Sequence, residues 1–280
     1  MFSKALIALD LSPSEQPILD CLPGLRAWGL EELVLTHVMP VGYMQGLPQS
    51  HETEYRDWLD KLATPLREAG FVVTTVLRSS GRPAEEILTV ADEVKASLVI
   101  VGSRGHNRVS RMFLGSVARE VVRKSQKPVL LEWIEPGDGQ GEHRCDAVCL
   151  DTLRHVVLST DLSGNAAAAA DAAVLLAGGA KRVDCLHVNE NNGAGATSPG
   201  TGAQDRLETL LARIREAGSN GEAVVLDGRP SAVIAGYAKD HDVSLIVVGK
   251  RGSNPVESLF TGSTAANLCE IAGRPVLMVP

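Results

Sequence analysis

The chain has 280 residues and a formal net charge of −7, with 27 lysine and arginine residues against 34 aspartate and glutamate residues. This length is sufficient for two domains that each bury a core. The negative charge argues against nucleic acid or an anionic membrane as a general partner. No apolar run is long enough to span a bilayer, and the N-terminus lacks signal-peptide architecture. Because the five cysteines favour a reducing compartment over a disulfide framework, we expect a cytoplasmic protein.

One long segment of the sequence occurs twice. Residues 81–133 align with residues 228–280 at a constant offset of 147 without a gap, and 20 of the 53 aligned positions are identical. Upstream the offset drifts to 150 and 151, which indicates small insertions between the copies. The duplication predicts two domains, 1–133 and 153–280, joined by a polar, Gly-rich linker over 134–152.

The first half alternates between apolar strands and helices. Ser12, Pro13 and Glu15 have the pattern of a helix start, with an N-cap serine, a proline at the first helical position and a glutamate that completes a capping box. Pro23 predicts a kink in that helix. The predicted strands are 5–9, 33–38, 71–77, 98–102 and 128–133, and helices are predicted near 15–28, 50–66, 85–95 and 116–125.

The second half repeats this alternation. Its strands are predicted at 156–160, 183–188, 222–226, 245–249 and 276–279. Helices are predicted at 166–177 and 204–217, followed by the counterparts of the last two helices of the first half. Residues 189–202 are rich in small and polar residues, so we expect this loop to be mobile. Strands that alternate with helices in this way are typical of a parallel, doubly wound α/β sheet.

Each half carries the spacing G-x2-G-x9-G-S directly after a strand that is apolar on both faces. Such glycines let the backbone turn tightly and approach a ligand closely, and the Gly-Ser pair opens a helix whose first N–H groups favour an anion. A phosphate chain fits this arrangement. The alternative is a plain glycine-rich turn, although the repetition at equivalent places argues against chance. The motif residues are Gly102, Gly105, Gly115 and Ser116, and Gly249, Gly252, Gly262 and Ser263.

These motifs resemble those of the universal stress protein family, and specifically its tandem members with two such domains in one chain. The resemblance covers nearly the whole chain outside the linker and one loop. It implies a five-stranded sheet of order 3-2-1-4-5 in each half, similar to the adenine nucleotide alpha hydrolase fold. It also implies that the last strands of the two halves pair across a pseudo-twofold axis. One chain would then equal the family's usual homodimer, and further dimerisation is left open.

The resemblance further implies that each half binds ATP, or alternatively AMP or ADP. Adenine would lie beside Asp10 and Val38 in the first half and beside Asp161 and Val188 in the second, with the phosphates at the glycine motifs. Mg²⁺ would bridge the phosphates, although no dedicated metal carboxylate is identifiable. The residues expected to line the two sites are Ala8, Leu9, Asp10, Val38, Val101, Gly102, Arg104, Gly105, Gly115, Ser116, Val117, Ala118, Ser159, Thr160, Asp161, Val188, Val248, Gly249, Arg251, Gly252, Gly262, Ser263, Thr264 and Ala265.

The loops between the glycines differ in charge. The first loop contains His106, Arg108 and Arg111, which favour a polyphosphate. The second contains Glu257, and its gain of positive charge is limited to Lys250. We therefore expect tighter ATP binding in the first half. The alternative is that one site has lapsed and serves only as scaffold.

No residue is assigned a catalytic role. For Asp10 and Asp161, a ligand-orienting or turn-forming role is favoured over catalysis. For His37 and His187, local hydrogen bonds at a strand end are favoured over a general base. A metal site at His143, Cys145 and Cys149 lacks a convincing set of four ligands.

The sequence thus predicts a nucleotide-binding regulatory protein of the stress response. Walker, dinucleotide-binding, hydrolase-elbow and kinase motifs are absent from the sequence. Two alternatives remain open. One is a slow ATPase or autophosphorylating enzyme that uses the same sites, with Ser116 or Ser263 as the modified residue. The other is an interaction scaffold that does not depend on nucleotide.

Overall fold

The computed structural model describes most of the chain and the whole of the predicted sheet. Its described residues are 2–12, 15–39, 49–79, 81–103, 114–136, 143–145, 151–190, 201–252 and 262–280. Most of the loop expected to be mobile, residues 191–200, lies outside these ranges.

The predicted alternation of strands and helices is present in both halves. In the first half the elements are β1 (Lys4–Leu9), α1 (Glu15–Cys21), β2 (Glu32–Val38), α2 (Gln49–Glu68), β3 (Val72–Arg78), α3 (Pro83–Glu93), β4 (Leu98–Gly102), α4 (Ser116–Lys124) and β5 (Val129–Glu132). Two short strands follow within the predicted linker, β6 (Ile134–Pro136) and β7 (His143–Cys145), and they pair antiparallel. In the second half they are β8 (Val156–Ser159), α5 (Ala167–Ala177), β9 (Val183–Asn189), α6 (Thr201–Glu216), β10 (Ala223–Asp227), α7 (Pro230–Asp240), β11 (Leu245–Gly249), α8 (Ser263–Ile271) and β12 (Val276–Val279).

Ten strands form one continuous sheet in the order β10-β9-β8-β11-β12-β5-β4-β1-β2-β3. Each half therefore has the strand order 3-2-1-4-5, which confirms the predicted fold class. Within each half the strands are parallel. At the centre, β5 and β12 pair antiparallel with Leu130 opposite Leu277. This central pairing joins the two halves through backbone hydrogen bonds.

Helices cover the sheet on both faces, which explains why the central strands are apolar throughout. One buried cluster contains residues of α1, α2, α5 and α6, and the other contains residues of α3, α4, α7 and α8. Both clusters include residues from both halves. Between the two halves, the indole Nε1 of buried Trp28 also donates a hydrogen bond to Thr152 Oγ1 at 3.0 Å. The two halves therefore share their hydrophobic cores.

The prolines act on two helices in different ways. Pro23 lies near the start of a 3-10 helix, Leu22–Trp28, that continues α1 directly, so the expected kink takes the form of a tighter helix. Pro65 lies inside α2, and that helix continues past it to Glu68.

The cysteines differ in state. Cys21, in α1, is disulfide-bonded, so the expectation of reduced cysteines does not hold for this residue. Cys185 and Cys269 are free and buried, and burial raises the pKa of each thiol to about 12. In the fold α1 lies against the short strand β7, far along the chain from Cys21.

A buried carboxylate gathers four donors at the amino end of the second half's sheet. Asp184 is fully buried. Its oxygens accept hydrogen bonds from His155 Nε2 at 2.7 Å, Tyr237 OH at 2.9 Å, Arg182 Nε at 2.9 Å and the N–H of Glu222 at 2.9 Å. Burial alone would raise the pKa of Asp184, but these donors outweigh it and lower the pKa to about 2.

Candidate functional site

Two crevices lie at the carboxyl ends of the parallel strands, where the strand order reverses. In the first half β1 lies between β2 and β4, and in the second half β8 lies between β9 and β11. We name the space at the ends of β1 and β4 the first crevice, and that at the ends of β8 and β11 the second crevice. Ligands of doubly wound sheets bind at such positions. The predicted residues Asp10 and Gly102, and Asp161 and Gly249, lie at these strand ends.

The aspartate after the first strand of each half closes a turn of its own backbone. Asp10 Oδ1 accepts a hydrogen bond from the N–H of Ser12 at 3.2 Å. In the second half Asp161 Oδ1 accepts hydrogen bonds from the N–H of Ser163 at 3.0 Å and from its hydroxyl at 2.7 Å. Both aspartates remain exposed to solvent. These contacts support the turn-forming role that the sequence favoured over catalysis.

The residue after each aspartate has a left-handed backbone. Leu11 and Leu162 both have φ of 60°. This conformation costs a residue other than glycine about 1–3 kcal/mol. Because both copies retain it at the same place, the turn is a repeated part of the crevice.

The paired histidines hold the second strand of each half to the end of the first. His37 Nδ1 donates a hydrogen bond to the carbonyl of Leu9 at 2.8 Å, and His187 Nδ1 donates one to the carbonyl of Thr160 at 2.9 Å. A carbonyl oxygen only accepts, so Nδ1 carries the proton in both rings. His37 also stacks on Tyr55 with 5.3 Å between ring centroids. These contacts match the local hydrogen bonding that was favoured over a general base.

Several predicted site residues have buried side chains, so a ligand would meet them through the backbone. They are Leu9, Val38, Val101, Ala118, Ser159, Thr160, Val248 and Ala265. Ala118 and Ala265 belong to the buried cluster beneath α4 and α8, so their side chains face the core and not a ligand. Ser116, Val117 and Ser263 are exposed, whereas Ala8, Val188 and Thr264 are half-buried.

Both glycine loops are closed by the same hydrogen bond. The N–H of Gly115 donates to the carbonyl of Ser103 at 3.0 Å, and the N–H of Gly262 donates to the carbonyl of Lys250 at 2.8 Å. The residue after the first glycine therefore anchors the glycine that opens the helix. The predicted residues Arg104 and Gly105 lie outside the described residues, and so do the basic residues that favour the first loop, His106, Arg108 and Arg111.

The glycines at the helix starts are not needed by the fold itself. Gly115 and Gly262 are the N-caps of α4 and α8, with φ of −55° and −56°, a region open to any residue. Among the described residues, a Cβ added at Gly115 would approach no atom closer than 3.7 Å, and one at Gly262 none closer than 3.5 Å. Neither helix has a side-chain cap. The missing side chain therefore leaves the first N–H groups of each helix accessible to an anion.

The second crevice is narrow at its glycine loop. A Cβ on Gly252 would lie 2.9 Å from Asp161 Oδ2. The side-chain amide of Asn165 donates to the carbonyl of Gly252 at 2.8 Å. A Cβ on Gly249 would lie 3.6 Å from the Cα of Ala166. In this half a Cβ on Gly252 would therefore press against the turn after β8, whereas the approach to Ala166 at Gly249 is an ordinary contact.

Lys250 connects the second glycine loop to the first half. It is 3 % exposed, and its Nζ donates a hydrogen bond to the carbonyl of Ser125, the residue that ends α4. Burial, and to a lesser extent the neighbouring Arg251, lowers the pKa of Lys250 to about 8. The equivalent residue in the first half is Ser103, whose hydroxyl accepts a hydrogen bond from the N–H of Ile134 at 2.9 Å. The two loops are therefore supported by different contacts.

A buried carboxyl group distinguishes the first crevice from the second. Glu15, the first residue of α1, is 9 % exposed, and its Oε1 has no hydrogen-bond partner within the described part of the chain. Burial, and then the nearby charge of Asp10, raise its pKa to about 8, although the backbone N–H groups of Leu11 and Ser12 oppose this shift. Aligning the Asp-Leu-Ser segments places Ala166 at the equivalent position. Glu15 lies outside the repeated motif, whereas Lys250 lies inside it at a position where the two copies differ.

Neither a metal-binding cluster nor a helix able to span a membrane is found among the described residues. Among them, no group of three or more His, Cys, Asp or Glu side chains is arranged to hold a metal ion. No helix in the described ranges combines the length and apolar character needed to cross a bilayer.

Known proteins resemble about half of the chain. A universal stress protein of Methanocaldococcus jannaschii, MJ0577, is 27% identical over 154 residues, which are 47% of this chain and 94% of that protein. The universal stress protein YxiE of Bacillus subtilis is 31% identical over 147 residues, or 47% of this chain and 99% of that protein. These relatives thus match about half of the chain along nearly their whole length.

The whole chain also resembles solved structures. A universal stress protein from Archaeoglobus fulgidus superposes with a TM-score of 0.79 at 21% identity, and the match covers 100% of this chain and 98% of that one. At this identity the likeness shows the fold alone. The model of the universal stress protein family matches residues 1–131 and again residues 152–280. The chain therefore belongs to the universal stress protein family, with two copies of the family's sequence in one polypeptide.

Proposed function

We propose that this protein binds an adenine nucleotide, ATP in the first instance, in its two crevices and acts as a nucleotide-dependent regulator in the stress response. The observation that carries the proposal is the pair of glycines at the starts of α4 and α8. Gly115 and Gly262 have ordinary backbone angles and room for a side chain. Their lack of a side chain is best explained by a group outside the chain that must approach the helix ends.

The helix ends supply the energy for holding a phosphate chain. Each N-terminus offers several unpaired N–H donors and carries roughly +0.5 of an elementary charge from the helix dipole. A hydrogen bond to a charged acceptor contributes about 1.5–3 kcal/mol. Micromolar affinity requires about 8 kcal/mol in total. Three or four such bonds, with burial of the adenine, reach that value after the cost of immobilising the ligand. Mg²⁺ would enter with the phosphates and bridge their oxygens.

The two sites are not equivalent in this proposal, and the first binds ATP more tightly. Two features support the ranking. The sequence of the first loop is more basic than that of the second. The second crevice is narrowed where Gly252 lies against Asp161 and is held by Asn165.

The pairing of β5 with β12 supports a further part of the proposal. The half-length relatives would need a second chain to continue the sheet at this edge, whereas here the other half of the same chain does so. We take residues 1–133 and 153–280 as the two domains of this internal pseudo-dimer. A single species of about one chain's mass in light scattering is the expected result.

The test is isothermal titration of MgATP into Gly115→Val and Gly262→Val variants. Each substitution places a branched side chain over the helix N–H groups, so each should remove one site and leave the other. We expect the larger loss of affinity from Gly115→Val. A larger loss from Gly262→Val would refute the ranking. Gly236→Val is the matched control, because Gly236 lies in α7 with no atom within 4 Å of an added Cβ.

Unchanged binding in both variants would refute the proposal that the helix ends hold the phosphates. Mass spectrometry of nucleotide released from the denatured protein gives an independent check. Turnover of ATP that disappears in Ser116→Ala would instead favour the enzymatic alternative.

A further inference from the structure

The first crevice contains an acid for which the second has no counterpart. Glu15 is nine-tenths buried, and one of its carboxyl oxygens has no partner within the described residues. A buried polar atom without a partner is uncommon in native structures and calls for an explanation. The capping-box pattern accounts for part of the hydrogen bonding of this side chain, because the backbone N–H groups of Leu11 and Ser12 donate to its carboxyl group. It does not explain the unpartnered Oε1.

The repeat locates Glu15 at the base of the first crevice. In the second half the equivalent residue, Ala166, lies directly over the first glycine of the loop, with 3.6 Å between its Cα and a Cβ built on Gly249. β1 pairs with β4 in the same parallel manner as β8 pairs with β11. By this equivalence Glu15 would lie between the end of β1, at Asp10, and the first glycine of its own loop, Gly102.

Burial, and then the nearby charge of Asp10, keep the carboxyl group of Glu15 protonated at neutral pH. Asp10, at the end of β1, is the charged side chain that acts on it among the described residues, and it has the same sign. The other acid of α1, Asp20, lies on the exposed face of the helix and accepts a hydrogen bond from Gln16. Burial and Asp10 together raise the pKa of Glu15 to about 8. Ionisation of Glu15 would place two like charges at the base of the crevice.

We propose that Glu15 makes ligand binding in the first crevice depend on pH, so that an anionic ligand binds while Glu15 is protonated and is repelled once it is ionised. This inference rests on the proposed function, since the anion is the phosphate chain of the nucleotide. The protonated carboxyl also supplies an O–H donor, from the oxygen that lacks a partner, to a crevice whose ligand is rich in acceptors. Ala166 leaves the second crevice without an acid at the equivalent position. Glu15 is thus a specificity-determining residue of one site only.

Linkage gives the direction and size of the effect. A ligand that binds the protonated form takes up a proton when it binds near the pKa of the free group. Its affinity falls as the pH rises through about 8. Repulsion between a carboxylate and a phosphate within about 6 Å at a partly buried site corresponds to a change of tenfold or more in affinity. Above about pH 7.5 the phosphates of ATP are already fully charged, so they add little to the pH dependence.

The experiment is titration of MgATP into the Gly262→Val protein, in which the first crevice is the working site. Affinity is measured from about pH 7.5 to about pH 9.5. At about pH 8 the heat is measured in two buffers of different ionisation enthalpy, which gives the number of protons taken up. The same measurements are made on Gly262→Val combined with Glu15→Gln, a substitution that keeps the shape of the side chain and removes its titration. Glu15→Ala, which copies Ala166, is the second variant.

We expect the affinity of the Gly262→Val protein to fall about tenfold over this range, with uptake of a fraction of a proton at about pH 8. Both effects should disappear in the Glu15 variants. No proton uptake in the Gly262→Val protein, or a pH dependence that survives in Glu15→Gln, would overturn the role of Glu15 while leaving nucleotide binding intact. Absence of ATP binding at every pH, in the wild-type chain as well, would overturn the proposed function and this inference with it.

Discussion

Replacing Asp184 by asparagine tests the buried network of the second half most directly. Asparagine has the same shape as aspartate but no charge, and its amide group cannot accept from all the donors that converge there. Arg182, His155 and Tyr237 would keep their places around a group that satisfies only some of them. Val34 takes the equivalent position in the first half, so the fold itself does not require an acid here.

The expected loss of stability is about 3 kcal/mol at neutral pH. Removing one partner of a buried charge pair typically costs about 3–5 kcal/mol. The lowering of the Asp184 pKa from 3.8 to about 2 corresponds to roughly 2 kcal/mol of stabilisation in the charged state. The two values agree in order of magnitude. The first is larger because it also includes the cost of the donors left without an acceptor. For a chain of this size we expect the melting temperature to fall by about 10 °C.

The pH dependence of the stability distinguishes the contribution of the Asp184 charge from an effect of packing alone. The folded pKa of Asp184 lies below its unfolded value, so its stabilisation is complete above about pH 5 and is lost as the pH falls toward 2. About half of it should be gone at pH 3. The difference in melting temperature between the wild-type chain and Asp184→Asn should therefore narrow from pH 7 to pH 3, as followed by circular dichroism.

A difference of the same size at pH 7 and pH 3 would refute this reasoning, because it would mean that the negative charge is not what the donors hold. Asp171→Asn is the matched control. Asp171 pairs with Arg213 at 2.7 Å, and both side chains are about half exposed. Exposed pairs contribute less than about 1 kcal/mol, so this variant should melt close to the wild type.

Two further substitutions probe the second glycine loop. The pKa of Lys250 is lowered to about 8, so the wild-type chain should gain roughly 1–2 kcal/mol of stability between pH 8 and pH 10. Lys250→Met should not show this gain in thermal melts. The same pH profile of stability in the variant and the wild type would contradict the burial of the charge. Gly252→Ala should destabilise the chain by about 1–3 kcal/mol because its Cβ would lie 2.9 Å from Asp161 Oδ2. Gly236→Ala, in open space, should be neutral or stabilising, and equal losses in both glycine variants would show that packing at Gly252 is not the cause.

The architecture was largely predictable because its signals are long and repeated. Strands such as Leu98–Gly102 and Leu245–Gly249 are apolar throughout, as strands buried on both faces require. The duplication gave each element two independent appearances in the sequence. The strand order and the central pairing came from the family resemblance, since periodicity alone does not order strands in a sheet.

Features that depend on tertiary contacts were not predictable. The strands Ile134–Pro136 and His143–Cys145 are too short to leave a pattern, and their surroundings have the composition of a linker. Ala118 and Ala265 follow the motif directly, but the rotation of their helices turns them into the core. For Glu15, the capping pattern predicts a place at the start of a helix, whereas its burial is set by the tertiary structure.

Because one polypeptide supplies both sides of the β5–β12 seam, its two crevices are free to diverge. In an assembly of two identical chains every substitution appears on both sides of the axis. Here a glutamate at the base of one crevice and a lysine beneath the loop of the other each occur once. A single gene thus encodes two sites whose residues can change independently, while the shared sheet keeps the relative orientation of the sites fixed.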